Sequence, residues 1–570
     1  MMNRRTLLRS LSATGALGFA AGCTPAPMLR PVMASAGTAT MDSPGPKSRY
    51  DLVIGKTRKT IGGITRDRLT YNGQIPGPLI HLREGDDVTL NVTNTLSEST
   101  STHWHGFLVP FEMDGVPGVN YPGIPPGETF TYRFRVKQHG TYWYHSHSGF
   151  QEQEGVYGGI IIDPANGREP YAYDRDVVMI LADLPKISAD FIYDRLKKMG
   201  SEYYNYQKLT LGDLAEDLRT RGALETMRDR LAWAEMGMTP TDLLNVTDKG
   251  YIFTANGVDA AANWTALFNP GERVRVRVIN ASAMTHYDVR VPGLPMTMIQ
   301  SDGQYIEPVE TDEFRIGVAK TYDFIVRPRE DRAYTVYAET LDRSGFARIS
   351  LAPRAGMEGP LPAQRARPLR SLEETGMGMM DDSLLPSGGM MRDPAPNMPM
   401  GNDVNVAMRT MKPQERMSDP GVGLGKDGWR VLTENQLRSR ERLPSPPVER
   451  EMFINMTTNM TRYIFSFDGK KFSQADKIPF YLGERLRLTM FNQSMMAHPI
   501  HLHGMWMELE NGQSKRPRQH TVFVKPGQKL SVLITPVEMG DWAFHCHMLY
   551  HFHSGMFRIV NVAAKEFASR

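Results

Sequence analysis

Four short stretches of the chain hold eleven of its fifteen histidines: "HWHG" from His103, "HSH" from His145, "HPIHLHG" from His498 and "HCHMLYHFHSGM" from His545. Ten of these are candidate ligands, His103, His105, His145, His147, His498, His501, His503, His545, His547 and His551, and Cys546 lies between two of them. Imidazole and thiolate are ligands for first-row transition metals. Side chains two apart on a strand face the same way, so each His-x-His pair aims two rings at one place. His103/His105, His145/His147, His501/His503 and His545/His547 supply eight such rings, enough for a cluster of several metal ions. In "HCH" the same alternation turns Cys546 to the opposite face. A metal at the cysteine and another at its neighbours would be a few covalent bonds apart, which is a wire for electrons.

A second ligand set surrounds the cysteine. Cys546, His551 and Met556 follow one another at intervals of five residues, and His498 lies three before His501. Two imidazoles, a thiolate and a weak thioether form the ligand set of a blue-copper electron-transfer centre. Zinc accepts cysteine and histidine, but it has no redox chemistry and little use for an axial methionine. His286, in "THYDV", stands alone and reads as a structural or surface histidine.

The elements that position these residues are strands. "GDDVTLNVTNT" from Gly85, "GERVRVRVINAS" from Gly271 and "GERLRLTMFNQS" from Gly483 each alternate apolar and polar residues after an acidic turn. Each is followed by a second pair of strand-like runs: "GETFTYRF…GTYWYHSH", "AKTYDFIV…AYTVYAET" and "GQKLSVLI…GDWAFHCH". Short strands with Gly and Pro turns read as three antiparallel sandwiches. "VYAET" replaces "YHSH" and "FHCH" in the middle copy, so that domain is expected to be metal-free. Residues 189–236 have helical periodicity and good helix formers, and read as an insertion in the second domain. The expected organisation is a signal peptide at 1–36, domains at 48–166, 167–356 and 446–566, and a Met-rich, partly disordered linker at 357–445.

The net charge of +3 over 570 residues points to neither nucleic acid nor a polybasic membrane surface. Beyond the N-terminus no apolar run is long enough to cross a bilayer. "NRRTLLRS" sets Arg4 and Arg5 before Leu7 and Leu8, the twin-arginine export pattern, with a cleavage site at Ala34–Ala36. "AAGC", ending at Cys23, offers a competing lipoprotein reading, although Ala20 stands where such sites usually carry Leu. With Cys23 removed or lipidated, Cys546 has no disulfide partner in an oxidising compartment, and a metal is the economical occupant.

"YDLVIGKT", "NGQIPGP", "HWHG", "MDGVPG", "TYWYHSHSGFQEQ", "HPIHLHGMWMELENG" and "HCHMLYH" together resemble the three-domain multicopper oxidases, specifically the CopA/PcoA-type bacterial copper-resistance oxidases. The resemblance implies an all-β chain of three cupredoxin-like Greek-key β-sandwich domains and four copper ions. Type 1 copper would be held by His498, Cys546, His551 and Met556, and type 2 copper by His103 and His501. A type 3 pair would be held by His105, His145, His147, His503, His545 and His547, so the first and third domains build the cluster jointly. The implied reaction is one-electron oxidation of a reductant coupled to four-electron reduction of O2 to water, with electrons passing through Cys546 and His545 or His547. Asp114, in "MDGVPG", matches a carboxylate that relatives use near the cluster and is the candidate proton donor; it equally suits a turn before Gly115. Phe552 and His553 stand where many relatives carry a second carboxylate.

From Met377 to Met417, ten of the chain's 36 methionines fall within 41 residues that lack core periodicity. Thioethers select Cu(I), so this stretch is expected to hold additional Cu(I). Met505, Met507 and Met548 either extend that path or pack the core. The expected protein is a periplasmic copper-tolerance oxidase of Cu(I), with phenols as artificial reductants and copper-handling periplasmic proteins as partners. A laccase with an organic reductant and a non-enzymatic copper-sequestering protein are the alternatives.

Overall fold

Burial alternates along the strands and sets the layers. In Asp87–Asn94, Val88, Leu90 and Val92 point inward while Thr89, Asn91 and Thr93 face outward. Burying each such aliphatic side chain contributes about 1.5–3 kcal/mol. The computed structural model describes residues 45–235, 238–376, 405–406 and 413–565. The expected export signal and nine of the ten methionines of the Met-rich stretch lie outside the described residues.

One order of pairing recurs three times. In the first sandwich Ile64–Tyr71 pairs with Arg49–Ile61, which runs parallel to Asp87–Asn94, which pairs with Thr129–Arg135. Tyr251–Ala255, Arg175–Pro185, Val274–Asn280 and Thr321–Val326 repeat that order in the second, and Ile464–Phe467, Arg450–Asn459, Leu486–Asn492 and Lys529–Ile534 in the third. The facing sheets also correspond. Gly77–Arg83, Tyr157–Asp163, Gly140–His145 and His103–His105 are neighbours in the first. Ile478–Tyr481, Phe557–Ala563, Gly540–Cys546 and His498–Leu502 are their counterparts in the third. The fold is all-β.

Register then places the chemistry. His103 lies opposite His145, and His501 lies opposite His545. In the middle sandwich the corresponding pair is Tyr287 opposite Thr340. His286, beside it, is buried: the Val318 N–H donates to its Nδ1 at 3.2 Å and its ring meets Phe523. It is a structural histidine, not a surface one.

The insertion folds as helices Ala189–Met199, Leu211–Arg221 and Ala223–Glu235. The Ser188 side chain caps the first, and a reciprocal Thr210–Asp213 capping box starts the second. The first helix reaches the third domain, where the Tyr193 hydroxyl donates to His553 O at 2.9 Å and Lys197 to Tyr463 O at 2.7 Å. The described flanks of the Met-rich connection are strapped down. Ser439 bridges to Ile306, Val431 to Glu313 and Gln414 to Gln528. Met505, Met507 and Met548 are buried in the core.

Candidate metal centre

Cys546 ends the strand Gly540–Cys546 with its side chain fully buried, turned away from that of His545. Its Sγ lies 3.4 Å from His498 Nδ1 and 3.8 Å from His551 Nδ1, and those two nitrogens are 3.3 Å apart. His498 opens the strand His498–Leu502, and His551 sits on the short helix Leu549–His553. The chain then folds back on itself. Met556 N–H donates to His551 O at 3.0 Å and Cys546 N–H to Met556 O at 3.1 Å, bringing the buried Met556 to the same place. Ser494 Oγ is 2.7 Å from His498 Nε2, and Phe465 stacks on His551 at 3.7 Å, so both rings are held. Burial pushes the Cys546 thiol well up and pulls His498 down to about 3. A thiol so buried gives up its proton when a metal takes the proton's place.

The eight paired rings converge nearby. Ligand atoms of His103, His501 and His503 lie within 4.8 Å of one another, as do those of His105, His145 and His547, and those of His147, His503 and His545. Several of their outer nitrogens are anchored. His103 Nδ1 donates to Asp114 O at 2.7 Å, His501 Nδ1 to His520 O at 2.7 Å and His545 Nδ1 to Cys546 O at 3.0 Å. Their inner nitrogens are not. Nε2 of His103, His145 and His501, and both ring nitrogens of His105 and His547, are buried with no hydrogen-bond partner. His503 Nε2 and His545 Nε2 face each other at 3.1 Å.

Burial first, and neighbouring imidazoles second, hold His105, His145, His147, His501, His503 and His547 well below the ordinary histidine value. Neutral rings with bare inner nitrogens, several of them anchored through the outer one, form a fitting cage for soft-to-borderline cations such as copper.

Asp114 ties the two domains together. Its carbonyl accepts from His103, while its Oδ2 accepts from His503 Nδ1 at 2.9 Å and from Asn120 Nδ2 at 3.0 Å. Two further groups had no signal in the spacing. Glu152, on the turn Gln151–Glu154, sets Oε2 2.7 Å from His145 Nδ1 and Oε1 4.0 Å from His547 Nδ1; burial holds its carboxyl well above the usual range. "GFQEQEG" contains this residue directly after "HSH", but only the turn aims it back at the rings. His520 brings a ring nitrogen within 4.8 Å of those of His105 and His501, without belonging to any His-x-His pair. Phe552 packs its ring 5.1 Å from His545 and 5.4 Å from His147, an aromatic cover on the cluster. A cleft of about 520 Å³, lined by Val119, Tyr193, Lys471, Phe552 and His553 among others, reaches the half-buried His147.

Three sandwiches and a histidine cage shared by the first and third define a copper-oxidase architecture. Family models described as multicopper oxidase match residues 53–167, 208–352 and 443–566. The chain belongs to the multicopper oxidase family; it is an oxidoreductase with copper cofactors, using O2 and a reductant. It is 43% identical to Copper resistance protein A of Escherichia coli, over 98% of this chain and 99% of that one. A Copper resistance protein A homolog of Pseudomonas syringae pv. tomato is 45% identical, over 90% of this chain and 92% of its own. Among solved structures, a laccase from Botrytis aclada has a TM-score of 0.63 at 20% identity, covering 92% of this chain and 89% of that one. Fet3p, a multicopper oxidase that functions in iron import, has a TM-score of 0.63 at 18% identity, covering 91% of each chain. At that identity the likeness is one of fold.

Proposed function

We propose that the protein is a copper-tolerance oxidase that converts Cu(I) to Cu(II) at a four-copper centre. His498, Cys546, His551 and Met556 hold type 1 copper, and His103 and His501 hold type 2. His105, His145 and His547 hold one ion of the type 3 pair and His147, His503 and His545 the other. The observation that carries this reading is the set of bare inner nitrogens meeting from both ends of the chain. Copper bound there would supply one-electron oxidation at the cysteine site and four-electron reduction of O2 at the cluster.

The chain's own residues do the rest. Cys546 links the two sites, its peptide neighbours His545 and His547 facing the cluster. Asp114 orients one ring from each domain and is placed to move a proton at Oδ2. The cleft at His147 admits small molecules, and Phe552 limits water beside His545. Relatives named for copper resistance at 43% and 45% identity support Cu(I) as the reductant. The soft thioethers from Met377 to Met411 would raise its local concentration and hold additional Cu(I). The twin-arginine pattern supports a periplasmic setting, with lipidation at Cys23 the other outcome and copper-handling periplasmic proteins as partners.

Oxygen uptake tests the reductant. Replacing the nine methionines from Met377 to Met411 by Ser should lower turnover at limiting Cu(I) and leave turnover of a phenol unchanged. Equal loss with both reductants would make the stretch structural and favour an organic reductant.

A further inference from the structure

We propose that the seam between the second and third domains carries a binding site for one small monovalent anion, of halide size, where Arg370 lines a cavity with Arg315, Arg416 and Lys525. The cavity measures about 10 Å³, room for one water-sized occupant, and Leu341, Val422, Ala497 and Phe523 are among the apolar residues of its wall. Three of its four cations are matched by carboxylates. Arg315 grips Asp288 through Nε at 2.7 Å and Nη2 at 2.9 Å, Arg416 pairs with Asp419, and Lys525 pairs with Glu434. Arg370 is not matched. It is only 4% exposed, its Nε has no hydrogen-bond partner, and its guanidinium makes no ion pair among the described residues.

A buried charge is tolerated when an opposite charge reaches it. Burial, offset in part by attraction to Glu374 and reinforced by repulsion from Arg416 and Arg315, brings Arg370 down to about 10, so it stays charged at neutral pH. A water would leave that charge standing, and a sulfate or phosphate is too large for the space. A halide satisfies both size and charge.

The position gives the ion a structural consequence. Arg370 precedes the methionine-rich stretch and Arg416 stands at its far end, next to Met417. Arg370 N–H is anchored to Pro240 O of the second domain at 3.0 Å, and Arg416 Nη1 to Pro526 O of the third at 2.7 Å. An anion between the two arginines clasps both roots of that stretch to the body, beside the residue preceding His498. Nothing in this depends on copper.

The test uses copper-free full-length protein at constant ionic strength, with chloride replacing gluconate. The wild type should show a saturable rise in melting temperature with chloride. Arg370→Leu should lose that rise and, without the unmatched charge, should melt in gluconate at or above the wild type. Crystals of the wild type grown in bromide should show an anomalous peak at the cavity, a measurement that stands even if the variant does not fold. A chloride response surviving in Arg370→Leu, or no bromide at the cavity, overturns the proposal.

Discussion

At Cys546 one residue belongs to two sites: its sulfur faces His498 and His551, while its carbonyl holds His545 in the cluster. Replacing sulfur by oxygen should therefore separate the two. Cys546→Ser is expected to abolish the intense blue absorption and oxidase turnover while cluster copper stays largely bound, because a hydroxyl supplies no thiolate-to-copper charge transfer. Visible spectroscopy with a copper assay decides it; a variant that stays blue would refute the cysteine's place in the type 1 site.

The buried rings also set a pH dependence. Protons compete with metal for a ring nitrogen. Histidines at their ordinary value would begin to lose affinity for copper as pH falls below about 6.5. Here burial holds His498 and His545 at about 3, so copper should be retained through pH 5 and released only as those low values are approached. Copper content after dialysis across a pH series measures it, and release centred near 6.5 would contradict it.

At the scale of elements, the strands point the rings and the turns lock them. Gly106 follows "HWH" with φ at +83°, and a Cβ there would lie 2.4 Å from the His520 ring. Only glycine suits both the backbone and the space. His520 in turn receives His501 Nδ1 on its carbonyl. Gly106→Ala should displace His520 and with it His501, weakening copper at the proposed type 2 position by about ten- to a hundredfold in affinity while the blue absorption persists. Electron paramagnetic resonance of the loaded variant reads this directly: a type 2 signal of full intensity would show that the turn tolerates the change.

At the scale of the molecule, the cage closes only when residues some four hundred positions apart meet. Asp114 joins His103 to His503, and Trp506 donates to Gly106 O at 3.0 Å across the same junction. A centre assembled from both ends of the chain has to be folded before it keeps copper, which suits an export route that carries folded proteins. Replacing Arg4 and Arg5 by Lys should strand unprocessed precursor in the cytoplasm. Fractionation followed by immunoblotting checks it: normal periplasmic accumulation would reject the twin-arginine route, and mature protein in the membrane fraction would instead mark Cys23 as lipidated.

By itself the sequence determined what is local. Alternation in "VTLNV" or "LRLTM" dictates strands, and His-x-His at spacing two dictates paired rings on one face, because both follow from backbone geometry over a few residues. The thiolate and thioether beside them define the chemistry by ligand type alone. The tertiary structure decided which rings share a position, such as His105 with His145 and His547, since register and domain contact leave no trace in spacing. It also decided the partners that carry no pattern at all: Glu152 turned back onto His145, His520 beneath His501, and Arg370 with Arg416 across the methionine-rich stretch. Burial alone makes those groups matter, by stripping water from a charge or a ring nitrogen, and burial belongs to the packed chain.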